Sequence, residues 1–400
     1  MTLPLDGIRI ADFTQMMQGP WATQKLADMG ADVVKIERPG GEWERFLEAG
    51  GETLEGTSPF FLAMNRNKRS IELDLKRERG QKLAREFVAD ADVVVENFRP
   101  GVMERFGLDY ETVSEQNPDI IYVSASGFGP DGPYVDRPGQ DLLLQAMSGL
   151  ARYTGRRDDP PTPVGTAVVD EHAASLIALH TTMALFHRER TDEGQRVDVN
   201  LFNAALDLQC QELTAVLNLE REFERSEEGI AQAWLDAPYG IYETADGYVA
   251  IAMAPLETVS DALDLEELAE YAAADAYERR DEIKRLLEAE TRTRATDDLV
   301  EALLAVDVWV APVNDFHDVA EDPQVKHNEM LIELEHPDGG TFTTTGSPVD
   351  YSKTPATVRT NPPAAGEHTR ELLTELGYDE TAYKELVADG VVGTLVENDE

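Results

Sequence analysis

The sequence predicts an α/β fold: a doubly wound, Rossmann-like large domain and a smaller α+β domain. Three observations lead there. Short Val/Ile-rich runs recur through the first part of the chain, as in DVVKIE at 32–37 and DVVVE at 92–96. Runs apolar on both faces belong to a sheet covered on both sides. Segments of helical periodicity separate them, the alternation that builds parallel sheet. After about residue 222 the pattern changes to a hairpin and Glu/Ala/Leu-rich helices, which marks the second domain.

The elements follow in order. Residues 8–13 (IRIADF) form the first strand, Gly19-Pro20 a turn and 21–29 a helix. Strands are expected at 32–37 and 70–75, then a helix over 78–89. Further strands fall at 92–96 and 120–125. The loop 127–138 (GFGPDGPYVDRP) is rich in turn residues, and 142–150 is a short apolar helix. Residues 164–169 (VGTAVV) read as a strand, 171–190 as a helix, 196–200 as a strand and 202–220 as a helix. A charged linker covers 222–230. Residues 239–244 and 248–253 flank Ala245-Asp246-Gly247 as a hairpin. The expected division is a large Rossmann-like domain over 1–222, a small domain over 223–327, and a segment, 328–400, that returns to the large one.

Composition narrows the setting. The 78 acidic residues against 35 basic ones give a formal net charge of −43, and the acid is spread along the chain. Only 9 of the basic residues are Lys. Such charge strains a fold by self-repulsion at low salt. In molar salt the screening length falls to about 3 Å and the strain fades. The composition fits a salt-loaded cytoplasm, and it offers no basic face for nucleic acid. No apolar run is long enough to cross a membrane, and the N-terminus enters a strand without a signal-peptide pattern. A cytoplasmic protein is expected. The single cysteine, Cys210, lies in an apolar helical pattern and is expected to be a buried structural thiol.

Several chemistries lack their signatures. There is no G-x-G-x-x-G after the first strand, no phosphate-binding P-loop, no C-x-x-C, no H-E-x-x-H and no G-x-S-x-G. A metal site is not expected. Asp170 is notable on its own. It follows VGTAVV and precedes a helical pattern, where Asp is a good N-cap. A carboxylate there is favoured by the helix dipole, and free N–H groups nearby can hold a developing oxyanion.

Several segments together resemble the family III CoA-transferases, which include formyl-CoA transferases, carnitine CoA-transferases and α-methylacyl-CoA racemases. They are the opening LPLDGIRIADFTQMMQGPWATQKLADMGADVVKIERPGG, NRNKRSIEL at 65–73, ENFRPG at 96–101, GFGPDGP at 127–133, 137–150, 160–170, APVND at 311–315 and 366–377. The resemblance covers essentially the whole chain. It implies that Asp170 is the covalent nucleophile. It also implies CoA contacts at Arg38, Leu73, Lys76, Asn97, Phe98 and Arg105, and a pocket around Met17, Gln18, Gln140 and Tyr239. Gln140 stands where racemases carry His, and an amide is no base near neutral pH, which favours transfer over racemisation. Met17 replaces the Gln of formyl-CoA transferases, and no glycine-rich covering loop precedes Tyr239. Pro138 replaces a family lysine, and Arg137 is expected to compensate.

The resemblance further implies an interlocked-ring homodimer and no cofactor beyond coenzyme A as co-substrate. Its substrates would be an acyl-CoA, expected to be succinyl-CoA, and a small dicarboxylate such as mesaconate. An acyl-CoA racemase, a CoA-thioester hydrolase and a non-catalytic CoA-binding protein remain open alternatives.

Overall fold

The structure is a computed structural model that describes residues 2–393. Six strands form one parallel sheet: β1 (Arg9–Asp12), β2 (Asp32–Glu37), β3 (Lys68–Glu72), β4 (Val93–Glu96), β5 (Ile121–Ser126) and β6 (Gln195–Asn200). Their order is β3-β2-β1-β4-β5-β6. All five pairings are parallel, with Ile10 set between Val33 and Val93. This order reverses direction between β1 and β4. In doubly wound sheets the crevice beyond the carboxyl ends at that switch point is where ligands bind.

The Val/Ile runs are explained by two buried layers. Val93 and Val95 of β4 face one layer, with Ala22, Leu26 and Ala27 of the helix Gln18–Asp28 and Ala174 and Ile177 of the long helix Val168–Thr191. Val94 faces the other, with Leu83, Phe87 and Val88 of the helix Glu78–Ala89 and Leu372 and Leu373 near the C-terminus. Successive side chains of a strand point to opposite faces, so a central strand must be apolar throughout.

The chain divides into two compact units. One holds residues up to 141, 167–204 and those from 324 onward; the other holds 142–166 and 205–323. The segments 142–166 and 205–222, expected in the large domain, thus belong to the second unit. Within that unit β7 (Gly240–Glu243), β8 (Tyr248–Ile251) and β9 (Val310–Pro312) form an antiparallel sheet. Its core joins Tyr242, Val249 and Ile251 to Val259, Ile283, Leu287 and Leu299. The first unit also carries the hairpin β10 (Leu331–Glu335) and β11 (Thr341–Thr345). No described helix is long and apolar enough to cross a membrane.

Three local expectations are corrected. Residues 164–169 are not a strand; the helix starts at Val168, so Asp170 is its third residue and Ala167 is the cap. Short Val-rich segments fit either state, and here the following helix extends into the run. The helix expected over 202–220 is two helices, Leu201–Leu208 and Cys210–Asn218, broken at Gln209. Gln209 turns its amide to Ser148 Oγ (3.0 Å) and Ala205 O (2.7 Å). Cys210 is exposed rather than buried, because the second of these helices has no buried residue.

Candidate active site

The loop after β1 rests on buried charge. Asp12 is fully buried and accepts bonds from Thr14 N (2.9 Å), Thr23 Oγ1 (2.7 Å) and Lys68 Nζ (3.1 Å). Burial opposes its ionisation, yet Lys68, Lys35 and the two hydroxyls hold it below the usual carboxylate range. Lys35 Nζ donates to Thr14 O (2.9 Å) and pairs with Glu42 (2.6 Å). Glu37 is held down to about 2: burial opposes this, but Arg45 grips both of its oxygens (2.7 and 2.6 Å). These contacts fix the path of residues 13–17 into the helix that starts at Gln18.

At the switch point Asn97 and Gln15 exchange two hydrogen bonds. Gln15 N donates to Asn97 Oδ1 (2.8 Å), and Asn97 Nδ2 donates to Gln15 O (2.7 Å). Beside this clamp is a cavity of about 110 Å³ lined by Gln18, Asn97, Phe98, Arg99, Phe128, Arg137 and their neighbours. Its far wall is held by glycines that touch: a Cβ on Gly127 would stand 2.6 Å from the Gly139 Cα. Arg137 stacks its guanidinium 3.9 Å over the Tyr134 ring. Four residues singled out in the sequence therefore line one cavity: Gln18, Asn97, Phe98 and Arg137. Met17, at the start of the first helix, and the exposed Gln140 do not line it.

Asp170 occupies the first turn of the long helix, partly buried. The N–H groups of Val169 and Asp170 in that first turn donate to Asp141 Oδ1 at 2.8 and 3.2 Å. Asp141 thus caps the helix from outside it. Burial, then the Asp141 carboxylate, then Glu171 push Asp170 up to about 7, against the helix dipole. A carboxyl poised there is at once a usable nucleophile and a good leaving group, and shifts of this size are enriched at functional sites.

In so acidic a protein, cations without acid partners are informative. Most arginines of the first unit sit on carboxylates; Arg69 alone reaches Asp32, Glu371 and Glu375. Among the described residues, Arg38, Lys76, Arg99, Arg105 and Arg137 form no ion pair. Arg38 gives its Nε to Gly41 O (2.9 Å). They lie in the same unit as Asp170. Unneutralised guanidinium and ammonium groups suit a phosphorylated ligand.

Residues 5–369 match the family described as CoA-transferase family III. The chain belongs to that family. It is similar to the succinyl-CoA:mesaconate CoA-transferase of Haloarcula hispanica, with 39% identity covering 93% of this chain and 96% of that protein. It is also similar to the succinyl-CoA:glutarate CoA-transferase of Mus musculus, at 35% identity over 97% and 90% of the two chains. Among solved structures, a CAIB/BAIF family protein from Brucella suis is 34% identical and superposes with a TM-score of 0.82, covering 94% of this chain and 100% of that one. The protein is a family III CoA-transferase, as the motifs implied.

Leu73 is 1% exposed and packs in the core of this CoA-transferase with Ile71, Leu372 and Val392. Tyr239 lies in the second unit, just before β7. Sequence reasoning missed Arg99 and Asp141. Arg99 was readable within ENFRPG. Asp141, 29 residues from its partner, leaves no local signal.

Replacing Asp141 with Asn is expected to lower the Asp170 pKa by removing a like charge, while the amide oxygen still accepts the helix N–H groups. The acid limb of the activity profile should move down by about one unit, with a loss of about 1 kcal/mol in stability from the weaker cap. A limb that stays at the wild-type pH in a folded Asp141→Asn protein would count against that electrostatic coupling.

Proposed function

We propose that this enzyme moves coenzyme A from succinyl-CoA to a small dicarboxylate of the mesaconate or glutarate size, through Asp170. The observation that carries the reading is Asp170 itself, a carboxyl lifted to about 7 in the unit whose switch point bears the Asn97, Phe98 and Arg137 cavity. The names of the relatives support the substrate class, since they pair succinyl-CoA with mesaconate or glutarate. The Asp170 carboxylate attacks the donor thioester and expels CoA thiolate, leaving a mixed anhydride. The thiolate attacks the Asp170 carbonyl, releasing succinate and forming an aspartyl–CoA thioester. The acceptor carboxylate attacks that thioester, and the freed thiolate then takes the acceptor acyl group, which restores Asp170. The bonds formed and broken balance, and no metal or redox partner takes part.

Arg38, Lys76, Asn97, Phe98, Arg105 and Arg137 are assigned to CoA, and Met17, Gln18 and Gln140 to the acyl pocket. Two copies are expected to interlock as a homodimer in a salt-loaded cytoplasm. The test is incubation in molar KCl with succinyl-CoA and a panel of acids, read by mass spectrometry beside Asp170→Ala. New thioesters with dicarboxylates only, absent in the variant, are expected, and activity should rise with KCl from 0.1 M to the molar range as repulsion is screened. Exchange of an α-proton without transfer would instead mean a racemase, and CoA release without an acceptor a hydrolase.

A further inference from the structure

We propose that Glu96 is a positioning residue for coenzyme A, holding the Asn97–Arg99 loop in place through the Phe98 N–H. Glu96 is the last residue of β4, at the switch point, and is 6% exposed. Its Oε2 accepts the Phe98 N–H at 2.9 Å. Its Oε1 accepts a bond from Ser124 Oγ at 2.5 Å, and Ser124 is the residue opposite it on β5. The carboxyl therefore ties the first residues after β4 to the neighbouring strand.

The loop needs such a tie because it borders two cavities. A second cavity, of about 370 Å³, is lined by Glu96, Tyr110, Ser124, Arg196 and their neighbours. Arg99, Pro100 and Ser126 line this cavity and also the smaller one that holds Gln18, Asn97 and Phe98. Protein interiors are kept in shape by close packing, and a segment that lines two cavities loses part of that support. Three contacts take its place. The half-buried Phe98 ring packs against the core layer of Val94. The Asn97 side chain is clamped to Gln15. The peptide that joins these two residues is set by Glu96.

An acid at this place has a cost that its bonds offset. Burial raises Glu96 to about 7, against the pull of Ser124, the Phe98 N–H and Arg196, while Asp198 adds to the rise. A strand end that served the core alone would be met more cheaply by valine, as at 93–95. Valine cannot accept the Phe98 N–H. The role asks for an acceptor oxygen and not for a charge, so an amide in its place can perform it.

The tied loop presents Asn97 and Phe98 to a ligand in one arrangement. A loop that must be ordered on binding weakens affinity. The effect falls on the acyl-CoA and not on the acceptor acid, because Glu96 acts through residues assigned to coenzyme A.

This inference rests on that assignment of Asn97 and Phe98. Its test measures the Kd of CoA by calorimetry, with kcat and the two KM values, in molar KCl for Glu96→Ala, Glu96→Gln and Ser124→Ala. Glu96→Ala should raise the CoA Kd and the acyl-CoA KM about tenfold, with kcat and the acceptor KM within twofold of wild type. Glu96→Gln should bring both back to within about twofold, a rescue that a need for the charge would not allow. Ser124→Ala is the milder change; it frees the Glu96 carboxyl from its anchor and should raise the CoA Kd about threefold. If Glu96→Ala does not fold, Ser124→Ala and Glu96→Gln decide. An unchanged CoA Kd in Glu96→Ala or Ser124→Ala, a Glu96→Gln protein no better than Glu96→Ala, or an equal rise in the acceptor KM overturns the proposal. Wild type that binds CoA but transfers it to no acid removes the proposed function and leaves the Kd comparison to decide Glu96. Wild type that does not bind CoA overturns both.

Discussion

Asp170→Asn is expected to lose CoA transfer by at least about a thousandfold, because the covalent route disappears with its nucleophile. The same change should stabilise the protein at alkaline pH. The folded-state pKa of Asp170 is raised from 3.8 to about 7 by burial, Asp141 and Glu171. The folded state therefore binds the proton more tightly than the unfolded chain. Stability falls as pH climbs from about 4 to about 7, and the penalty is complete above that. Asparagine carries no charge to bury, so the gain should be near zero at pH 4 and roughly 1–3 kcal/mol at pH 8, after allowing for the partial exposure of the side chain. Wild-type activity should correspondingly drop about tenfold per unit below pH 7, as the nucleophile protonates. Thermal unfolding and succinyl-CoA turnover at the two pH values in molar KCl test both halves. Residual transfer within tenfold of wild type would remove Asp170 from the mechanism. Lost activity with no pH-dependent gain in stability would mean that Asp170 is solvated as an anion.

The two halves differ in how readily the sequence discloses them. Val93–Val95 read as a buried strand because three consecutive β-branched residues favour that state and a central strand is apolar on both faces. Asp170 was visible as a carboxylate at a helix start, but its poise was not. That depends on Asp141, which arrives from another segment and takes the N–H groups that would otherwise favour the anion. The misreading of 164–169 has a local cause, because VGTAVV is short, Val-rich and silent about where the helix begins. At Leu73 the resemblance named a ligand contact, and the structure adds that the side chain packs in the core.

Lys68→Met is expected to cost about 3–5 kcal/mol, the loss that follows from breaking a buried ion pair. Lys68 lies in NRNKRS, where the resemblance supplied a match without a reason. The reason is a buried charge that must be met. Lys68 Nζ joins Asp12 Oδ2 (3.1 Å), Pro20 O (2.9 Å) and Asn65 Oδ1 (2.8 Å), and both charged side chains are almost wholly buried. Methionine fills similar volume but leaves Asp12 with one ammonium fewer to offset its desolvation. It also removes a donor from the Pro20 carbonyl, just after Gln18, which is then left to Thr23 Oγ1 (3.2 Å). Removing both charges together should cost less than the single change, because breaking a buried pair is worse than replacing it. Denaturant unfolding of Lys68→Met, Asp12→Asn and the double variant in molar KCl measures this. The double variant should recover at least 1 kcal/mol relative to the sum of the singles. Since this pair anchors the loop that delivers Gln18 to the cavity, the folded fraction of Lys68→Met should also show a raised KM for acyl-CoA. A loss below about 1 kcal/mol would mean that water or Lys35 satisfies Asp12 unaided, and the loop would then owe its shape to Lys35 and Glu42 instead.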